Sequence, residues 1–192
     1  MSNLVLASTS PYRRELLARL GLPFEAASPD CAETAFPGEA PEALVRRLSE
    51  AKARSVAERF PTALIIGSDQ VASLDDTVLG KPGGREKAIA QLLKASGRCV
   101  TFYTGLSLVD AGSGLARTVC EPFRVHFRQL SQQQIARYVD RERPFDCAGS
   151  FKSEGYGITL FERLDGDDPT ALVGLPLIRL VGLLGEAGVA LP

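Results

Sequence analysis

Apolar residues recur along this chain in two periods, and each change of period marks a new element. Leu4–Ala7 is an unbroken apolar run, the pattern of a strand buried on both faces. Ser10 and Pro11 then combine an N-cap hydroxyl with a first-turn proline. Leu16, Leu17 and Leu20 follow at helical spacing until Gly21 stops them. Phe24–Ala27 predicts a second strand, and residues 29–41, rich in Pro, Asp, Glu and Gly, predict a loop. Pro41 opens a long helix predicted to reach Phe60. Ala63–Gly67 predicts a buried strand and Gln70–Leu74 a further extended stretch, with Asp75-Asp76 as a hairpin turn before Thr77–Leu79. Gly84–Ser96 predicts a helix with Ile89, Leu92 and Leu93 on one face and Gly97 as its stop.

The second half opens on longer strands. Cys99–Val109 and Ala116–Phe127 flank Ala111-Gly-Ser-Gly, a hairpin signal. Phe123, Val125 and Phe127 alternate with Arg124, His126 and Arg128, so one face of that sheet meets water. Ser131-x-x-Gln134 is a capping box for a helix carrying Ile135, Tyr138 and Val139. Tyr156–Phe161 predicts another strand, and Leu175–Leu184 a last helix with Pro176 in its first turn. Strands alternate with helices but include antiparallel hairpins, which predicts an α/β fold built on a mixed sheet. At 192 residues the chain makes one domain or two intimately packed lobes.

Composition narrows the function classes. The net charge is −1 and no long basic run occurs, which argues against binding of long nucleic acid. Four cysteines form no C-x-x-C pair, and there is one histidine, so a zinc centre is not expected. No signal peptide and no membrane span are read, and the thiols are expected to be reduced; the expected location is the cytoplasm. Any metal should then be hard and oxygen-ligated, such as Mg²⁺ or Mn²⁺.

Several residues stand out from an ordinary fold. Arg13 and Arg14 lie in a first helical turn, where the dipole disfavours cations, beside backbone N–H groups that form an anion site. They are either phosphate ligands or solvated surface arginines. Lys52 falls inside the apolar stripe Leu44, Val45, Leu48, Ala51 and Val56. On a buried face it needs a partner or lines a cleft; otherwise it snorkels from the stripe edge. If Lys52 and Lys81 neutralise phosphate, replacing either by methionine is expected to lower kcat/KM and leave stability similar or higher, as removal of a buried unpaired charge can. Asp69 follows a buried strand, where ligand residues gather in α/β folds, or is an ordinary turn aspartate. Lys81, held between Gly80 and Pro82, is a fixed charge or a plain turn lysine; no P-loop is present. Ala148–Gly157 holds three glycines with Lys152 and Glu154 as candidate ligand groups, or is a surface loop. Gly174-Leu-Pro-Leu-Ile is read as packing for the last helix.

In this order and spacing the chain resembles the Maf family of nucleoside triphosphate pyrophosphatases. The matching stretches are Leu-Ala-Ser-Thr-Ser-Pro-Tyr-Arg-Arg at 6–14, Arg-Leu-Ser-Glu-Ala-Lys at 47–52 and Ile-Gly-Ser-Asp-Gln at 66–70. Gly-Lys-Pro at 80–82, Cys-Ala-Gly-Ser-Phe-Lys-Ser-Glu-Gly at 147–155 and Gly-Leu-Pro-Leu at 174–177 complete the set. Tyr12, Gln70 and Glu154 further resemble the branch acting on 7-methyl-GTP. The resemblance covers nearly the whole chain and implies a single Maf-like domain over 1–192. It implies an elongated mixed β-sheet flanked by helices, with a central cleft between two lobes. It also implies cleavage between the α- and β-phosphates of a nucleotide, with a divalent cation held by Asp69 and Glu33. By position, Asp69 becomes the proton acceptor, and Ser8, Arg13, Lys52 and Lys81 the phosphate-side groups. Tyr12, Arg14, Glu33, Gln70 and Glu154 complete the implied substrate-binding set. The chain departs from the family pattern at Ala32, where an acid often stands, and at Tyr12, where tryptophan is common. The expected partner is a small nucleotide, and a homodimer is compatible with the sequence. A non-catalytic nucleotide sensor acting through a partner is the competing reading.

Overall fold

A computed structural model describes residues 3–75 and 77–191. The chain forms two compact units. The first comprises Met1–Gln70, Thr104–Glu121 and Asp168–Pro192, and the second Val71–Tyr103 and Pro122–Asp167. The strands are β1 Leu4–Ala7, β2 Phe24–Ala27, β3 Leu64–Leu74, β4 Thr77–Leu79, β5 Cys99–Asp110, β6 Ala116–Phe127 and β7 Phe161–Asp165. The helices are α1 Pro11–Ala18, α2 Pro41–Arg54, α3 Arg85–Ala95, α4 Gln132–Glu142 and α5 Leu177–Glu186. The seven strands form one mixed sheet in the order β2-β1-β3-β5-β6-β7, with β4 paired to β3.

In the first unit β1 is the central parallel strand, with Leu4 opposite Phe24 of β2 and Leu64 of β3. Its side chains alternate between two cores, as the strand period requires. Leu4 and Leu6 join Leu16 and Leu17 of α1 and Leu180 and Leu184 of α5 on one face. Val5 and Ala7 join Ala53 of α2 and Val56, just beyond its end, on the other. This double burial is why Leu4–Ala7 carries no polar residue.

In the second unit β7 runs antiparallel to β6, pairing Val125 with Leu164. Phe123, Val125 and Phe127 are buried while Arg124 and Arg128 are exposed, as the alternation predicts. The capping box at Ser131 and Gln134 forms with both of its hydrogen bonds. Four phenylalanines, Phe102, Phe127, Phe151 and Phe161, meet edge to face with centroids 4.8–5.6 Å apart.

Three predicted elements differ. The stretches read as Ala63–Gly67 and Gln70–Leu74 join through Ser68 and Asp69 into one strand of 11 residues, Leu64–Leu74. Tyr156–Leu160 is a 3-10 helix rather than a strand, and pairing starts only at Phe161. A Cβ at Gly157 would lie 2.2 Å from the Lys152 carbonyl oxygen, so the backbone doubles back here and cannot extend. The helix from Pro41 ends at Arg54 and is followed by a 3-10 turn at Ala57–Arg59. Asp75 adopts the turn conformation expected of it, with φ 46°, and Asp76 lies outside the described residues.

Gly67 fixes how α2 lies on the sheet. A Cβ there would fall 2.0 Å from the Ser49 carbonyl oxygen and 2.9 Å from the Ala53 nitrogen. Gly105 makes the same approach on β5, where a Cβ would fall 2.1 Å from the Val45 carbonyl oxygen. Both obstacles are helix backbone, which cannot rotate away. Gly67→Ala is therefore expected to lower unfolding stability by about 1–3 kcal/mol or more, read as a lower urea midpoint. A midpoint unchanged within error would show that α2 is free to move off the sheet.

Candidate active site

The close approach of α2 to β3 delivers one charged side chain into the packed interior. Leu44, Val45, Leu48, Ser49, Lys52 and Ala53 form the buried face of α2, so Lys52 lies where the periodicity puts it. It is only 6 % exposed. Its Nζ donates to Asp69 Oδ1 on β3 at 2.6 Å. The same Nζ lies 3.1 Å from Glu33 Oε1, which comes from the acidic loop before α2. Asp69 is nearly as buried as Lys52, whereas the Glu33 side chain is largely exposed. One ammonium is thus shared by two carboxylates, one inside and one at the surface.

The β1–α1 turn supplies the second cation. Ser10 caps α1 by accepting from the Arg13 backbone nitrogen, and Ser8 Oγ accepts from the Ser10 nitrogen at 3.1 Å. The Arg13 side chain folds back, and its Nε donates to the Gly174 carbonyl oxygen at 2.8 Å. Burial pushes its pKa down, opposed by the negative charges of Asp69 and Glu33. Arg13 is therefore no solvated surface arginine; it lies within the field of the shared-lysine cluster. Arg14 lies on the exposed side of α1, and Tyr12 is half-buried. Gln70 follows Asp69, and its Nε2 donates to Thr104 Oγ1 and to the carbonyl oxygens of Ala171 and Leu172 at 2.8–3.2 Å.

In the first unit Lys52 meets Asp69 and Glu33, with Arg13 in their field, while Ser8 follows β1 and Gln70 follows Asp69 on the opposite face of β3. Three further residues near this cluster are given no site role by the sequence. Ser68 Oγ lies 2.8 Å from both the Gly105 and the Gly174 carbonyl oxygens. Gly174 accepts from Arg13 and Ser68 rather than merely packing the last helix. Cys31, two residues before Glu33, has its thiol pKa raised by burial, with the Lys52 charge opposing and those of Glu33 and Asp69 adding. Their places in the Ile-Gly-Ser-Asp-Gln and Gly-Leu-Pro-Leu stretches are the sequence hints at the first two.

The second unit carries the remaining candidates. Lys81 is exposed beside the buried Pro82, and Gln91 Nε2 holds the Gly80 carbonyl at 3.0 Å. Glu154 is exposed and accepts from Ser153 Oγ at 3.3 Å. Its loop is a shaped one: Gly149 and Ser150 both take positive φ, at 72° and 63°. Phe151 anchors the loop in the aromatic cluster, and the Lys152 nitrogen donates to Tyr138 Oη at 3.1 Å.

Among the described residues no three Asp, Glu, His or Cys side chains gather in a way that could hold a metal ion by themselves. Asp69 and Glu33 are nevertheless two hard oxygen donors already drawn to one cation. That donor set fits Mg²⁺, which takes one or two carboxylates and completes its shell with water and substrate phosphates.

The chain is similar to known proteins along nearly its whole length. A family model described as Maf-like protein matches residues 3–187. A relative from Nitrosococcus oceani, named 7-methyl-GTP pyrophosphatase, is 63 % identical over 96 % of this chain and 93 % of its own length. Relatives of the same name from Pseudomonas aeruginosa and Vibrio cholerae are 59 % and 56 % identical; the first is covered completely on both sides, the second over 96 % of this chain and 95 % of its own. Among solved structures, that of the Staphylococcus aureus Ham1 protein aligns with a TM-score of 0.55 at 14 % identity. It covers 97 % of this chain and all of that one, a likeness of fold.

The pairing changes what removal of the lysine should do. Lys52 is held by two carboxylates and is not a lone buried charge. Lys52→Met leaves Asp69 buried without its cation, and this is expected to cost about 3–5 kcal/mol of unfolding stability. Urea denaturation of the variant beside the unmodified protein measures it. An equal or higher midpoint would return the lysine to the unpaired role that the sequence alone allows.

Proposed function

The chain belongs to the Maf family, and we propose that it hydrolyses 7-methyl-GTP between the α- and β-phosphates, giving 7-methyl-GMP and pyrophosphate. The observation that carries the chemistry is the Lys52 ammonium shared between Asp69 and Glu33 at 2.6 and 3.1 Å. A polyphosphate competes with carboxylates for an ammonium, so substrate draws Lys52 toward itself and leaves Asp69 free to act as base. Asp69 then takes a proton from a water whose oxygen attacks the α-phosphorus. The α–β bridging oxygen leaves with the pyrophosphate. Arg13 and Lys52 neutralise charge as it develops on the departing group, which is the main task in such a reaction. A divalent cation, Mg²⁺ or Mn²⁺, would be held by Asp69 and Glu33 and would supply further charge neutralisation when bound.

The remaining roles follow from matching motif positions. Ser8 and Arg14 flank the phosphates at the start of α1, Lys81 adds a fixed charge, and Gln70 borders the site through its position beside Asp69. Glu154 reads guanine: a carboxylate is acceptor-only and takes both N1–H and the exocyclic amine. Tyr12 offers a ring face to the cationic methylated base, an attraction of about 0.5–2 kcal/mol. The names of the three relatives support this base choice. One family match running through both units supports reading residues 1–192 as a single Maf-like domain. No helix among the described residues is long and apolar enough to cross a membrane, and the four cysteines are free, which supports a reducing compartment such as the cytoplasm.

Incubation with Mg²⁺ and 7-methyl-GTP should yield the monophosphate and pyrophosphate by ³¹P NMR, faster than GTP yields its products. In ¹⁸O-water the label should enter 7-methyl-GMP. Asp69→Asn should lose about 10²-fold or more in kcat, as expected for a missing general base. Tyr12→Ala should narrow the preference for the methylated base. Equal rates on GTP and 7-methyl-GTP would remove the base assignment, and tight nucleotide binding without turnover would leave a sensor.

A further inference from the structure

Gly174 lies in the segment that leads from Asp168 into α5, and this segment is tied at both ends. Asp168, 1 % exposed, accepts from the Thr170 nitrogen and hydroxyl at 2.9 and 2.6 Å, and from the Ile178 nitrogen of α5 at 2.7 Å. Thr104 Oγ1 donates to the Ala171 carbonyl at 2.9 Å. The segment is thus pinned to the start of α5 and to β5. Its carbonyl at Gly174 points back to β3, where Ser68, fully buried, meets it.

We propose that Ser68 is a positioning residue that sets the direction of Arg13 through their common partner, the Gly174 carbonyl oxygen. The Ser68 hydroxyl has one proton and two carbonyl oxygens at 2.8 Å, those of Gly105 and Gly174. Arg13 Nε brings a second donor to Gly174, also at 2.8 Å. Two donors therefore serve two carbonyls, and the loss of either donor changes what the other must do. Gly174 itself permits the approach: it sits at φ 120°, and a Cβ there would press on Arg13 Nε at 3.3 Å. With Nε anchored, the two terminal nitrogens of the guanidinium keep their donors for an anion. The negative charges of Asp69 and Glu33 act on Arg13 and oppose the effect of its burial, so the guanidinium lies within their field. Ser68 touches no reacting atom in this scheme; it fixes the oxygen on which the arginine pivots. The proposal rests on the reading that Arg13 faces substrate phosphate.

A double-mutant cycle separates this role from plain structural support. Ser68→Ala, Arg13→Gln and the double variant are compared for kcat and KM on 7-methyl-GTP. Inorganic pyrophosphate affinity by calorimetry and thermal midpoint are measured on the same proteins. With Arg13 in place, Ser68→Ala should lower kcat/KM and pyrophosphate affinity about tenfold, as expected for a misplaced charged group. In the Arg13→Gln background the same change should cost less than about twofold, because coupled residues are not additive. Equal losses in both backgrounds, or no loss in either, would overturn the proposal. Should Ser68→Ala not fold, Thr104→Val releases the same segment at Ala171, and the same non-additivity with Arg13→Gln is required of it. Pyrophosphate affinity tests positioning even where no turnover occurs, whereas absence of hydrolysis in the unmodified protein counts against the proposed function alone.

Discussion

The buried ion pair of Lys52 and Asp69 is the interaction on which the candidate site depends. Taking two charges out of water costs several kcal/mol per ion, and their attraction offsets that cost only with close geometry. Here the geometry is close, at 2.6 Å, because α2 has no side chain between it and the sheet at Gly67 or Gly105. Helix backbone rests directly on strand backbone. Lys52 lies one turn beyond Leu48 in the buried stripe of α2, and Asp69 stands two residues along β3 from Gly67. A larger residue at either glycine would lift the helix and lengthen the pair. The two glycines and the ion pair are parts of one constraint.

A hydrogen bond from outside the helix explains the arginine that the helix dipole should disfavour. Arg13 sits in the first turn of α1, where a free guanidinium would face partial positive charge. It turns away, and a carbonyl oxygen from another part of the chain receives its Nε. The first turn is left with Ser10 as its cap, so backbone and side chain divide the work. A positive group is held near the helix start while the helix itself is satisfied by a neutral hydroxyl. An anion arriving there meets both.

Much of this is legible in the sequence because it depends on local rules. The apolar run Leu4–Ala7, the cap at Ser10, the capping box at Ser131 and the alternation at 123–128 all follow from spacing within one element. Lys52 is legible for the same reason: helical periodicity places it on the buried face. What the sequence withholds depends on pairs of elements. Gly67 falls inside a strand, and only the helix lying on it shows why that position carries no side chain. Tyr156–Leu160 has strand composition, but the close pass of Gly157 over Lys152 forces a 3-10 turn. Ser68 and Gly174 are far apart in the chain, and nothing in either neighbourhood announces a shared hydrogen bond. That Lys52 needs a partner or a cleft is legible from its place on the buried face, but spacing does not show that Asp69 and Glu33 share it.

The resting cluster is balanced in charge: Lys52 and Arg13 bring two positive charges, Asp69 and Glu33 two negative ones. Balance keeps the empty site stable, since no buried charge is left without a partner. It also means that the cluster has no surplus for a polyphosphate. On the proposed chemistry, an incoming triphosphate takes the cations and leaves two carboxylates that repel it. Those carboxylates must then either bind a proton or bind a cation. Asp69 can do the first, which is the step assigned to it, and both can do the second, which is why a divalent ion fits the pair. Glu33, exposed and on a loop, is the freer of the two to adjust. On that proposal, neutrality at rest becomes a demand for cation when substrate arrives.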